Sequence, residues 1–108
     1  MQLIFGREVA QQLREKYTVL ELETIDVEGK PLDVFCVIPA EKIAFADVSE
    51  VAHQIKLHDT FVSGVKAKDY KLCSDLYIHV LGKFGGEVDS FYEEMLKKFA
   101  LEQESSNT

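Results

Sequence analysis

Val9, Leu13 and Tyr17 recur every four residues, with Ala10 beside them and Gln11, Gln12, Arg14 and Glu15 covering the other side. Positions four apart share one face of a helix, so this spacing predicts a helix over Arg7–Tyr17. Gly6 can start it, and Phe5 can pack back onto it. After Tyr17 the period falls to two. From Thr18 to Val27, Leu20 and Leu22 alternate with Val19, Glu21, Glu23 and Ile25, the signature of a half-solvated strand.

Glu28-Gly29-Lys30-Pro31 has turn chemistry, because Gly29 accepts a positive φ and Pro31 suits the start of a returning strand. Leu32 to Ile38 then carries Val34, Cys36 and Ile38 on one face and Phe35 and Val37 on the other. A strand apolar on both faces is normally covered on both. Two strands alone are marginal, and Lys42-Ile43-Ala44-Phe45 after the Pro39-Ala40 bend is the expected third. The sheet is also a surface that a second copy could complete.

Beyond Ala46 the pattern is helical throughout. Asp47 or Ser49 can cap a first helix with the stripe Val48, Val51, Ala52, Ile55, Val62 and Val65, joined by Leu57 and Phe61. Asp69 can cap a second that presents Tyr70, Cys73, Leu76, Tyr77, Val80 and Leu81, ended by Gly82 in a left-handed cap. From about Gly86 a third presents Val88, Phe91, Tyr92, Met95, Leu96 and Phe99. The expected fold class is therefore α+β: an N-terminal helix, a small antiparallel hairpin or three-stranded sheet, then three C-terminal helices. Residues 1–101 form one domain, and the polar residues 102–108 form a frayed tail.

With 108 residues and 46% hydrophobic content, the chain can build a core without staples. Cys36 and Cys73 fall within apolar patterns and read as buried, reduced and structural. No apolar run approaches the ~20 residues needed to span a bilayer. The opening Met1–Phe5 is too short for a secretory signal, so the expected location is the cytoplasm, with no membrane contact.

Net charge is −7, distributed unevenly. Residues 1–50 hold ten acids and five bases, residues 51–85 three acids and five bases, and residues 86–108 six acids and two bases. Such an acidic chain repels phosphate backbones at long range, which disfavours nucleic acid as a partner.

The candidate chemistry is sparse. Gly82-Lys83-Phe84-Gly85-Gly86-Glu87 could offer Lys83 and the N–H groups of Gly85 and Gly86 to an anion, joined by Lys68 and Lys71 from the basic turn around Lys66. It lacks Walker spacing and follows a helix, and Glu87 and Asp89 already supply negative charge there. A helix cap followed by a tight turn accounts for it more simply. Glu50 and His53 stand three apart and Asp75 and His79 four apart, each a half-set of metal ligands without the converging third and fourth. The three histidines read as surface or rim residues on amphipathic helices. No nucleophile elbow is present, and Glu21/Glu23 and Glu93/Glu94 lie on expected solvent faces. No catalytic residue and no cofactor is expected.

Leu57-His58-Asp59, Lys68-Asp69-Tyr70-Lys71-Leu72-Cys73 and Gly82 through Tyr92 resemble segments of small proteins of unassigned function from marine tailed phages, cyanophages included; Phe5 to Ala10 belongs to the same pattern. The resemblance implies a setting, an infected bacterial cytoplasm, and no mechanism. The leading expectation is a non-enzymatic protein-interaction or regulatory module that self-associates as a homodimer and binds a protein partner, a host protein if phage-encoded. The alternative is a small anion- or nucleotide-binding protein, or an enzyme, using the Gly-rich loop at 82–87.

Overall fold

The alternating stretches on either side of Gly29 pair as a hairpin. In this computed structural model, which describes residues 1–44 and 46–106 with side chains to 103, the elements follow in order. They are β1 (Gln2–Phe5), α1 (Arg7–Leu13), β2 (Thr18–Val27), β3 (Lys30–Ile38), a 3-10 turn (Ala40–Lys42), α2 (Val48–Ala67), α3 (Tyr70–Val80), a second 3-10 turn (Lys83–Gly86) and α4 (Asp89–Ser106). Glu28 and Gly29 both take positive φ, 52° and 84°, the combination whose twist matches that of the flanking strands in a two-residue hairpin.

The sheet has three antiparallel strands in the order β1-β3-β2. Its third strand is not Lys42–Phe45. Pro39 has no N–H with which to extend the ladder, and the chain turns out of the sheet through Ala40–Lys42; Phe45 lies outside the described residues. The place is taken by β1, with Leu3 opposite Cys36 and Phe5 opposite Val34. Gly6, at φ 101°, redirects the chain from β1 into α1 while its N–H donates to the Asp33 carbonyl at 2.9 Å. α1 is shorter than its spacing suggests. The Leu13 carbonyl accepts from both Lys16 and Tyr17 N–H, at 3.1 and 2.9 Å, and this tightened turn feeds directly into β2. Only Ala10 of α1 is fully buried; Val9 and Tyr17 face solvent.

β3 is covered on both faces, as its two-sided pattern requires. Val34, Cys36 and Ile38 join Leu20 and Leu22 against Phe61, Val62, Cys73, Phe84, Phe91, Tyr92, Met95 and Phe99. Phe35 points the other way, into a smaller cluster with Ile4, Ala10 and Val19 beneath α1. The period-two reading of β2 breaks at a bulge between Glu21 and Glu23, where the register passes from Glu21 opposite Phe35 to Glu23 opposite Val34. The inserted Leu22 shifts the phase, so Ile25 joins the helix-side core instead of lying opposite it.

Asp47 caps α2 by accepting the Glu50 N–H at 2.8 Å, and Asp69 caps α3 by accepting that of Leu72 at 3.2 Å. α2 and α3 approach closely at Gly64, where a Cβ would stand 2.9 Å from Cys73 Sγ. Val48 and Ala52, expected in the core stripe, are exposed, and so is Leu81. α4 continues to Ser106, and Tyr70 Oη donates to the Glu102 carboxylate at 2.9 Å; the first residues of the expected tail are therefore helical, and 107–108 lie outside the described residues. No helix among the described residues is long and apolar enough to cross a membrane.

Candidate functional site

Among the described residues His58 is, apart from Tyr92 of the aromatic core, the buried polar side chain, its ring enclosed on the sheet-facing side of α2. Its Nε2 lies 2.6 Å from the Glu21 carbonyl and its Nδ1 lies 2.8 Å from Tyr92 Oη. A carbonyl only accepts, so Nε2 carries the proton and Nδ1 accepts from the tyrosine hydroxyl. Burial pushes the imidazole below its ordinary pKa and outweighs the opposing effects of the Glu21 backbone contact and the Asp59 and Glu21 charges. His58 is therefore neutral. Tyr92, also fully buried, is raised chiefly by the same desolvation. Phe84, Phe91 and Tyr92 surround the imidazole, with ring centroids 5.7–6.2 Å away. The result is a closed hydrogen-bond chain joining the bulged strand to α2 and α4.

On the opposite side of β2 the Glu21 carboxylate carries the chain outward. It pairs with Lys66 and with Arg7 Nη2 at 3.2 Å, and Arg7 also reaches Asp33 at 3.1 Å. Asp33 in turn accepts from Thr24 Oγ1 at 2.8 Å. Burial tends to raise the Glu21 carboxyl, but Lys66 and Arg7 together hold it below the usual carboxylate range. Asp33 is lowered first by the Thr24 hydrogen bond and then by Arg7. The guanidinium groups of Arg7 and Arg14 lie over the Phe35 ring, 5.3 and 5.7 Å from its centroid. This belt closes the α1 side of the sheet with stacked cations.

The residues singled out for chemistry are dispersed. Lys68 sits at the C-cap of α2 and Lys71 in the first turn of α3, whereas Lys83, Gly85 and Gly86 lie beyond the far end of α3. The rest of α3 beyond Lys71, residues 72–80, separates the two groups, roughly 13 Å of rise. In the Gly-rich loop, the Gly82 N–H donates to Asp89 Oδ1 at 2.8 Å and the Phe84 N–H to Gln54 Oε1 at 3.1 Å. Phe84 itself takes φ 55° and is buried, so the loop inserts an aromatic ring into the core from a left-handed backbone. Gly85, at φ 65°, passes so close to Lys42 that a Cβ there would stand 3.0 Å from its side chain.

Glu50, His53, Asp75 and His79 are all exposed, the first pair near the start of α2 and the second along α3. Among the described residues no group of three or more His, Cys, Asp or Glu side chains is placed to hold a metal ion. Cys36 and Cys73 are buried free thiols, and burial raises them to about 12 and about 11, far from a reactive thiolate. Glu21 and Glu23 face opposite sides of β2, Glu23 pairing with Lys98 of α4 at 3.4 Å.

Two sizeable surface depressions border α3. One of about 530 Å³ runs along α2 and the start of α3, past Ala52, Lys56, Asp59, Ser63 and Leu72. Another of about 400 Å³ lies between α3 and α4, where Lys71 and Asp75 meet Tyr70, Leu96 and Phe99. Neither includes His58 or Tyr92.

Reading all three histidines as surface or rim residues was therefore wrong for His58. The signal lay in the spacing: Val51, Ile55, His58, Val62 and Val65 alternate in steps of four and three, with the histidine in the middle of the stripe. Neither a protein-family model nor a curated protein nor a solved structure matches the chain.

Proposed function

We propose that this protein is a non-enzymatic protein-interaction or regulatory module that self-associates. If the chain is phage-encoded, it acts in the host bacterial cytoplasm on a host protein. One observation carries the reading: Met1, Leu3 and Phe5 remain 44–52% exposed on or next to an open strand edge, and Val9 of the following helix is 48% exposed. Large apolar side chains gathered at one place on a surface mark association sites more often than scattered ones do. The inward engagement of the polar groups supports it further. His58 and Tyr92 satisfy each other and the sheet, and the Gly-rich loop gives the N–H groups of Gly82 and Phe84 to Asp89 and Gln54.

The test is sedimentation equilibrium of the full chain, combined with a thermal-shift series in phosphate and nucleotides. The reading expects a mass above the 12.3 kDa monomer and no shift with any anion. A strict monomer with a clear phosphate-dependent shift would favour the anion-binding alternative instead.

A further inference from the structure

The two edges of the sheet are built differently. β2 forms one, and it carries Glu21, Glu23 and Asp26 together with a bulge, the devices that keep an edge from pairing with another chain. β1 forms the other, Gln2-Leu3-Ile4-Phe5, with no charged side chain and no bulge. Its hydrogen-bonding phase follows from one contact. The Gly6 N–H donates to Asp33 O, so Gly6–Asp33 is a hydrogen-bonded pair of the antiparallel ladder. Such pairs alternate, so Ile4–Phe35 and Gln2–Val37 are hydrogen-bonded as well. Leu3 and Phe5 are then the residues whose N–H and C=O groups point away from β3, out of the sheet. Their side chains are also the exposed ones, at 45% and 52%, whereas Ile4 is buried at 6%.

We infer that β1 is the self-association surface, pairing antiparallel with β1 of a second copy to make one continuous six-stranded sheet. The inference rests on the self-associating reading above and names its site. An open ladder specifies an extended strand as its partner, and an antiparallel strand is complementary to itself about a two-fold axis. With that axis at Leu3 or Ile4, the second copy's Phe5 falls directly or diagonally across from Leu3. Beside Leu3 lies a recess of about 140 Å³ lined by Met1, Leu3, Leu22, Val34 and Phe91 and also by Glu23, Ser90 and Glu94, with room for one such side chain.

Charge selects the same place. Two copies at −7 each repel, and Gln2–Phe5 carries no charged side chain, so the two strands can pair without setting like side-chain charges directly opposite each other. The uncovered parts of Met1, Leu3, Phe5 and Val9, with the strand backbone, give on the order of 1,000 Å² buried for a pair, the lower bound for a specific and weak dimer.

The experiment is residue-resolved amide exchange on the full chain, dilute and concentrated, alongside sedimentation of variants. The inference expects Leu3 and Phe5 amides to slow at least about tenfold on concentrating, with Ile4 protected at both concentrations. Leu3→Pro removes only an outward N–H, so it should stay folded by circular dichroism and sediment as a monomer. Phe5→Glu should do the same, while Ile78→Lys and Leu101→Lys, on exposed helix surfaces, should remain dimeric. Raising salt should tighten the dimer, because it screens the repulsion. A dimer that survives Leu3→Pro and Phe5→Glu overturns this assignment and leaves self-association standing. A monomer at every concentration overturns both.

Discussion

Replacing His58 with phenylalanine tests the interior polar chain directly. The phenyl ring occupies nearly the space of the imidazole, so the change is chiefly one of hydrogen bonding. The Glu21 carbonyl loses its donor at 2.6 Å and the Tyr92 hydroxyl loses its acceptor at 2.8 Å, both in a site from which water is excluded. A buried polar group left without its partner costs about 1–3 kcal/mol, so the pair of losses destabilises the protein by about 2–6 kcal/mol. That is a large share of the roughly 5–15 kcal/mol that holds a domain together. Tyr92→Phe removes one partner only and should cost about 1–2 kcal/mol. In the double variant the hydroxyl that His58→Phe strands is itself gone, so the two costs should fall short of additivity by about 1 kcal/mol.

The pH dependence has a definite sign. The native imidazole is depressed by burial, so above about pH 6.5 neither state carries the proton and the full stability is present. As pH falls, the unfolded chain takes up a proton that the native state refuses. Stability is lost at up to about 1.4 kcal/mol per pH unit until the native pKa is reached. The groups nearest the ring are the Tyr92 hydroxyl, the Glu21 carbonyl and, at longer range, the Asp59 and Glu21 carboxylates. Urea unfolding between pH 5 and 7.5 reads both effects. His58→Phe should lower the midpoint and flatten the slope between pH 6.5 and 5. A variant within about 0.5 kcal/mol of the parent and equally steep with pH would show that the buried imidazole carries neither effect.

Other consequences follow from the same packing. Phe84→Ala should cost about 3–5 kcal/mol, through lost burial, with only part returned by relaxing a left-handed backbone, as read by thermal unfolding. Gly64→Ala should destabilise by about 1–3 kcal/mol because its Cβ meets Cys73 Sγ; Gly64→Ala combined with Cys73→Ala should recover part of that loss. Neither Cys36 nor Cys73 should react with a thiol reagent at pH 8 in the native protein, and both should react in urea. Glu21→Gln should leave the neutral-pH midpoint nearly unchanged, since Lys66 and Arg7 are exposed partners. It should, however, flatten the loss of stability below about pH 4.5, because the native carboxyl is held low and its contribution vanishes as it is protonated.

Much of the architecture was legible in the sequence, and the errors have physical causes. The hairpin, the double-sided strand Leu32–Ile38 and the caps at Asp47 and Asp69 follow from alternation and turn chemistry, and each is present. The third strand was misplaced because Met1–Phe5 has only four residues in the sheet, too few to display a period, while Ile43 and Phe45 mimic alternation after Pro39. Which face Ile25 occupies depends on the bulge at Leu22, and a bulge requires knowing the partner register. His58 was missed as a core residue because a histidine in an apolar stripe has two meanings, and its acceptor and donor come from β2 and α4, 37 and 34 residues away. The proposed association surface was half visible. A copy completing the sheet was an expectation, but the strand that offers its edge was not recognised as a strand.

In the proposed arrangement the polar residues hold the fold and an exposed apolar surface joins copies. Sedimentation equilibrium over a range of protein concentrations tests it most directly. The prediction is a reversible approach from the 12.3 kDa monomer to twice that mass, shifted to lower protein concentration as salt is raised. A mass fixed at 12.3 kDa across the whole range and at every ionic strength would contradict it.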